Sequence, residues 1–181
     1  HFARQGDYLF YPSRITSLKR QHLAVEAMQY VKSPVRLYIA GHCESQEYIS
    51  QIELLIRKHD LDKKVIFRNE WISEDEKIEL MARSLGVVYI PYKEDSYGFV
   101  TMEAFYSSKP VIACSDSGGT DELVVDGENG FITAPDARAL AVAMDELYEN
   151  RNRAQKMGEA GRAELVRRNI TWSSTIERLL Q

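Results

Sequence analysis

The sequence predicts an α/β domain in which a parallel sheet is covered by helices on both faces. Two observations predict it. Short continuous apolar runs alternate with segments of helical periodicity, and those runs lack the polar/apolar alternation of a sheet with one wet face. At 181 residues and 44% hydrophobic content, the chain has enough material for one full core and too little for two ordinary domains.

The elements follow in order. Tyr8-Leu9-Phe10-Tyr11, stopped by Pro12, is a short aromatic strand. From about Arg20 to Val31, Leu23, Ala24, Ala27, Met28 and Val31 recur at helical spacing. Val35 to Ala40 is a second strand, ended by Gly41, and Ile49, Ile52, Leu55 and Ile56 mark a second amphipathic helix. Val65-Ile66-Phe67 is a third strand. Ser73 opens a third helix as a capping-box residue, with Glu76 three positions on. Leu85 to Ile90 is a fourth strand, Phe99 to Tyr106 a helix, Pro110 to Cys114 a fifth strand, and Gly127 to Ile132 a turn and sixth strand. From Asp136 the pattern is helical, with Gly158 and Gly161 as weak points, and Trp172 to Leu180 reads as a terminal helix. The sum is a single doubly wound, Rossmann-like domain with a parallel sheet of about six strands. Ligands of such sheets bind beyond the carboxyl ends of the strands, so the chemistry belongs on the loops that follow them.

Composition narrows the function. There are 23 Lys and Arg against 27 Asp and Glu, a formal net charge of −4, which argues against a nucleic-acid binder. An anionic ligand must then be held by local positive groups. Cys43 and Cys114 both end apolar runs and form no CxxC pair, so a disulfide framework is not expected and a reducing, cytoplasmic setting is. No stretch of about 18 apolar residues is present. The polar N-terminus, HFARQGDY, lacks the apolar region of a signal peptide and reads as a cut edge.

Three loops carry candidate chemistry. After the first strand, Arg14 and Lys19 flank a loop that feeds a helix, where an anion would meet two cations and a helix N-terminus. Ordinary solvated loop charges would explain the pair as well. After the fourth strand comes Asp95-Ser96-Tyr97-Gly98-Phe99-Val100-Thr101-Met102-Glu103. Gly98 permits a close approach, the amides of Phe99, Val100 and Thr101 begin the next helix, and Asp95 and Glu103 can each accept from neighbouring sugar hydroxyls. The plain alternative makes Asp95 and Ser96 helix caps and Glu103 a surface charge. After the fifth strand, Gly118-Gly119 suggests an unusual backbone path against a ligand or a neighbour. The acids Asp116, Asp121, Glu122 and Asp126 fit no calcium-loop spacing, and no metal site is expected.

Taken in order, these pieces resemble the C-terminal domain of the large retaining glycosyltransferase family with two Rossmann-like domains, the GT-B architecture, of the group 1 or family 4 type. The resemblance runs from about Tyr8 to Leu180. It rests on Arg14 and Lys19, on Leu37-Tyr38-Ile39-Ala40-Gly41, on Val65-Ile66-Phe67, and on Gly98 to Ala104 followed by Lys109-Pro110-Val111-Ile112. Gly118-Gly119, Glu122 and Asp126-Gly127-Glu128-Asn129-Gly130-Phe131 continue it. The family signature sets two glutamates eight positions apart; here Glu103 is the second and Asp95 replaces the first, with Glu94 adjacent.

The resemblance implies transfer of a sugar from a UDP- or GDP-sugar donor to an acceptor hydroxyl with retained configuration. It implies Arg14 and Lys19 on the diphosphate, with Arg20 as a competitor, Asp95 on the donor sugar, and Glu103 on the ribose. Gly41, Gly98, Phe99, Val100 and Thr101 would complete the donor site, and the base would lie near Arg68 to Trp71. His42 is expected to be a loop residue rather than a catalyst. The donor is a substrate, so no cofactor is implied, and cations standing in for a metal imply metal independence. Acceptor recognition would belong to a separate N-terminal domain absent from this chain, leaving the chain alone inactive or nearly so. Any membrane contact, at the inner face, would come through that absent half, and polysaccharide biosynthesis is the expected setting. A non-catalytic nucleotide-sugar-binding module is the alternative. An epimerase of the same architecture has no specific support, and a response-regulator domain would need clustered acids that the first strand lacks.

Overall fold

In the computed structural model the described residues are 6–94 and 96–170, so Asp95 and the expected terminal helix Trp172–Leu180 lie outside them. Six parallel strands form one sheet: β1 (Tyr8–Pro12), β2 (Arg36–Gly41), β3 (Val65–Asn69), β4 (Gly86–Val88), β5 (Val111–Cys114) and β6 (Gly130–Thr133). Their order is β3-β2-β1-β4-β5-β6. The helices are α1 (Gln21–Ala27), α2 (Gln46–Lys58), α3 (Glu74–Arg83), α4 (Phe99–Tyr106), α5 (Ala137–Glu149) and α6 (Arg151–Arg167). Right-handed crossovers put α1 and α2 on one face of the sheet and α3 and α4 on the other. Helix α1 packs against α2 and α5, and α4 packs against α6.

The continuous apolar runs are buried as the two-faced sheet requires. Leu9, Phe10, Leu37, Ile39, Val87, Val88, Val111 and Ile112 have no solvent exposure. Cys43 and Cys114 are buried free thiols. Ser73 caps α3 by accepting from the Glu76 amide at 3.1 Å, as the capping-box spacing predicts.

The strand order reverses direction between β1 and β4. Their ladder is short, pairing Leu9 with Gly86 and Phe10 with Val87, after which the strands part. Tyr11 fills the gap: its hydroxyl donates to the Lys19 carbonyl and accepts from the Ile90 amide at 3.3 Å. The expected strand from Leu85 to Ile90 is therefore trimmed to Gly86–Val88 in its paired part, since β1 diverges from its carboxyl end. A crevice at such a switch point is where doubly wound sheets bind ligands.

The helix expected from about Arg20 to Val31 is α1, which ends earlier, at Ala27. A 3-10 turn at Ser17–Lys19 precedes α1, and Arg20 between them is left-handed, with φ 57°. That turn swings the Arg20 side chain away from the crevice. Its guanidinium grips Asp116 through two hydrogen bonds of 2.8 and 2.7 Å and reaches the carbonyls of Ile90 and Pro91 at 2.7 and 2.8 Å.

Candidate functional site

A crevice of about 540 Å³ opens at the carboxyl ends of β1, β2 and β4. Arg14, Lys19, Gly41, Gly98, Phe99, Val100 and Glu103 all line it, so the structure gathers most of the sequence-predicted site residues on one concave surface. Asp95 lies outside the described residues.

The loop after β1 is shaped by Gln21, which is fully buried at the start of α1. Its side-chain amide donates to Ser13 Oγ at 2.8 Å and to the Arg14 carbonyl at 3.0 Å, while its oxygen accepts from the Thr16 amide at 3.3 Å. These bonds hold Arg14 at the lip. Its guanidinium is exposed and makes no ion pair among the described residues. Gly41 has its own packing reason: a Cβ there would fall 1.8 Å from the Ser13 carbonyl oxygen, so the close approach it permits is that of the neighbouring loop.

Lys19 reaches across the crevice to the loop after β4. Its Nζ pairs with Glu94 and donates to Tyr89 Oη at 2.8 Å, and the Tyr89 hydroxyl donates to Glu94 Oε2 at 3.0 Å. Burial opposes the Lys19 charge, but the bonds to Glu94 and Tyr89 outweigh it and raise its pKa. The Lys19 hydrogen bond holds the Glu94 carboxyl below its ordinary range, with the Arg14 charge adding to the effect. Gly98 is matched to this cluster twice over. Its φ is +72°, and a Cβ would meet the Tyr89 ring at 2.4 Å.

Helix α4 begins at Gly98 with no side-chain cap. The Phe99 and Val100 amides have no backbone partner among the described residues, as expected of the first turn of a helix. Thr101 differs from expectation. Its amide donates to the Gly98 carbonyl at 3.1 Å, because the turn tightens there, and its side chain is fully buried. Two helix-start amides, not three, are left to meet an anion. One turn on, Glu103 pairs with Lys77 of α3 at 2.8 Å.

The paired glycines of the loop after β5 support the site from behind. A Cβ on Gly118 would lie 2.2 Å from the Glu94 carbonyl oxygen, and one on Gly119 would lie 2.7 Å from the Ser96 carbonyl. The Gly119 amide donates to the Glu94 carbonyl at 2.7 Å. The unusual path is thus against a neighbour, the loop that carries Glu94. Two of the nearby acids serve the fold. Asp116 holds Arg20, and Asp126 accepts from the Ile132 amide at 2.9 Å. Among the described residues no group of three or more His, Cys, Asp or Glu is placed to hold a metal ion.

Near the end of β3, Trp71 is exposed and stacks on His42, with ring centroids 5.7 Å apart and planes 24° from parallel. Trp71 and Arg14 also border a second cleft of about 480 Å³ on the α2 side. Arg68 is engaged by Tyr38, Glu70 and Glu76.

The pattern of the family described as "Glycosyl transferases group 1" matches residues 2–164. The chain belongs to that family. This group 1 glycosyltransferase domain is 31% identical over 137 residues to the mouse alpha-1,3/1,6-mannosyltransferase ALG2, covering 73% of this chain and 32% of that protein. It superposes on Anabaena Alr3699/HepE, solved in complex with UDP and glucose, with a TM-score of 0.84 and 25% identity, covering 97% of this chain and 48% of that one. The fold also matches the C-terminal domain of a group 1 family protein, LpcC, from Francisella tularensis, with a TM-score of 0.77 and 24% identity. Here the coverage is 90% of this chain and 86% of the other. The chain spans 29–39% of the length of the ALG2 relatives it matches. The six-stranded parallel sheet is that of the GT-B glycosyltransferases. No helix among the described residues is long and apolar enough to cross a membrane.

The site residues that sequence reasoning passed over are Gln21, Lys77, Tyr89 and the pairing of Glu94. Gln21 had a signal: it stands in register with Ala24, Val25 and Met28, a polar residue on a buried stripe. Lys77 and Tyr89 had none, since their partners are 26 and 70 positions away in the chain.

Proposed function

We propose that this chain is the donor-binding domain of a retaining glycosyltransferase that moves a sugar from a UDP- or GDP-sugar to an acceptor hydroxyl. One observation carries the reading. Arg14 and Lys19 from the loop after β1, and the Phe99 and Val100 amides and the Glu103 carboxylate from α4, line one crevice at the switch point. That set matches a nucleoside diphosphate: cations and amides for the phosphates, a carboxylate for the ribose, and the exposed Trp71 face for the base. The UDP in the HepE structure supports it.

In the transfer the bond from the anomeric carbon to the diphosphate breaks, one to the acceptor oxygen forms on the same face, and the acceptor's proton passes to the departing diphosphate oxygen. The leaving diphosphate gains charge as the sugar becomes oxocarbenium-like. Arg14, Lys19 and the two amides are placed to take that charge, a contribution of about 3 kcal/mol for each well-placed donor in a dry site. Cations in this role make the reaction independent of a metal. Asp95 in this reading contacts the donor sugar. Acceptor recognition falls to a second domain beyond this chain, which also supplies any membrane contact, and the chain alone binds donor but transfers little sugar. The setting is cytoplasmic polysaccharide synthesis.

Calorimetric titration with UDP, GDP and ADP tests the reading, repeated on Glu103→Ala and Lys19→Ala. Selective binding of one diphosphate, weakened by both changes, is the expected result. No binding of any of them at millimolar concentration would refute it.

A further inference from the structure

Lys77 sits in the crevice wall between two carboxylates. Its Nζ donates to Glu103 Oε1 at 2.8 Å and pairs with Glu74 Oε2 at 2.9 Å. The three are not equally exposed: the side chains of Lys77, Glu103 and Glu74 show 20%, 37% and 79% of their surface. The Lys77–Glu103 contact is therefore the sheltered one, and it ties α3 to α4 across the mouth of the crevice. Burial opposes the Lys77 charge, but its bonds to Glu103 and Glu74 outweigh that and keep the ammonium protonated.

The contact has two consequences for a ligand. A carboxylate beside a diphosphate repels it unless a cation cancels its charge, and Lys77 supplies that cation. A glutamate side chain on a helix surface also samples several rotamers, and a bond at Oε1 selects one of them. Among the described residues Glu103 Oε2 accepts no hydrogen bond, so it is left to a ligand. A carboxylate held in one orientation, with one oxygen free, can accept from vicinal hydroxyls with little further ordering cost.

We propose that Lys77 is a positioning residue that orients and charge-balances Glu103, so that the crevice selects a ribose over a sugar lacking the 2′ and 3′ hydroxyls. The proposal rests on the donor-site reading of the crevice. It assigns to α3 a share in nucleotide selectivity that Glu103 alone does not explain.

The test compares whichever of UDP, GDP or ADP binds the wild-type chain most tightly with its 2′,3′-dideoxy analogue. Both are titrated calorimetrically into wild type, Lys77→Met, Lys77→Arg, Glu103→Gln and the double variant Lys77→Met/Glu103→Gln. Wild type should prefer the ribonucleotide by about tenfold, the scale of one hydrogen bond to a charged group. Lys77→Met should weaken both nucleotides, since the Glu103 charge is then uncancelled, but the ribonucleotide much more, so that most of the preference is lost; Lys77→Arg should restore part of it, and the double variant should match Glu103→Gln. Equal weakening of both nucleotides by Lys77→Met would overturn the proposal, since the choice of ribose would then owe nothing to Lys77. Tighter ribonucleotide binding would overturn it as well, by making Lys77 a competitor for Glu103, and so would an unchanged preference. Should Lys77→Met fail to fold, Lys77→Arg and Glu103→Gln still read out the preference. Should no diphosphate bind wild type, the donor-site reading itself fails first.

Discussion

Lys19 and Glu94 form an ion pair across the crevice, joining the loop after β1 to the loop after β4, with the Tyr89 hydroxyl bonded to both. In the proposed function Lys19 is one of the cations on the diphosphate, and it is already partnered. A phosphate bound there would share Lys19 with a carboxylate, which would lower affinity while keeping the side chain in place. Replacing Glu94 by Gln keeps the shape and removes the competing charge. Glu94→Gln is expected to bind the diphosphate several-fold more tightly and to melt at a lower temperature, as read by calorimetry and by thermal unfolding.

The same pair sets a pH dependence with a definite sign. The Glu94 carboxyl titrates below its ordinary 4.5 because of Lys19, so its contribution to stability is present above that value and is lost as the pH falls through the lowered folded-state pKa. Lys19 titrates above 10.5: burial opposes its charge, but Glu94 and Tyr89 outweigh that, so its contribution is complete below 10.5 and is lost as the pH rises beyond. Denaturant melts at pH 3.5 and pH 6 should differ less for Glu94→Gln than for wild type. An equal difference would show that other carboxylates account for the acid loss.

Gly98 combines a left-handed backbone with a contact that no side chain can enter. Gly98→Ala must move the Tyr89 ring, 2.4 Å from the new Cβ, and adopt φ +72° at an ordinary residue. The expected cost is about 2 kcal/mol or more, together with weaker diphosphate binding, because Tyr89 positions both Lys19 and Glu94. Equilibrium unfolding and calorimetry on the same preparation check the two effects separately.

The sheet and helices were legible because burial on both faces leaves a mark in each run, such as Val111-Ile112-Ala113-Cys114, where every residue is apolar and buried. The loop that carries Arg14 and Lys19 and the helix start that leads to Glu103 were legible once the fold placed them after strands. What stayed hidden depends on contacts distant in sequence. Arg20 and Lys19 are adjacent cations, and only the left-handed turn at Arg20 sends one to Asp116 and the other to Glu94. Gly158 and Gly161 read as weak points in a helix. In the structure they lie where α6 meets α4, with Cβ positions 2.0 Å from the Ser108 carbonyl oxygen and 2.3 Å from the Phe105 ring. A glycine chosen for close approach and one that merely weakens a helix look alike until the neighbour is known.

Arg20→Lys separates structure from binding. Lysine cannot reproduce the two-point grip on Asp116 or the bonds to the Ile90 and Pro91 carbonyls. The expected loss is about 2–4 kcal/mol of stability, since partly buried acceptors are left unmet. Diphosphate affinity of the folded fraction should stay within about threefold of wild type, whereas a loss as large as that of Lys19→Ala would place Arg20 in the binding set.

Lys109 offers a test of buried charge away from the crevice. It is 6% exposed, its Nζ donates to the Ser84 carbonyl at 2.8 Å, and burial lowers its pKa from 10.5 to about 8. Between those values the unfolded chain holds a proton that the folded chain has released, so stability rises with pH across the window. The neutral amine keeps a hydrogen to give Ser84, so the bond survives deprotonation. At 1.36 kcal/mol per pKa unit the full gain is about 3 kcal/mol. Raised groups act in the opposite sense: burial pushes Cys114 from 9.0 up to about 11 and Tyr8 and Tyr48 from 10.0 up to about 12, so their costs begin as the pH passes 9.0 and 10.0. Wild type should therefore gain stability from pH 7.5 to 8.5 in urea melts, below the onset of the Cys114 cost, and Lys109→Met, which keeps the stem without the charge, should show a nearly flat profile there. Equal slopes in the two proteins would mean that the Lys109 ammonium is better solvated than its burial indicates.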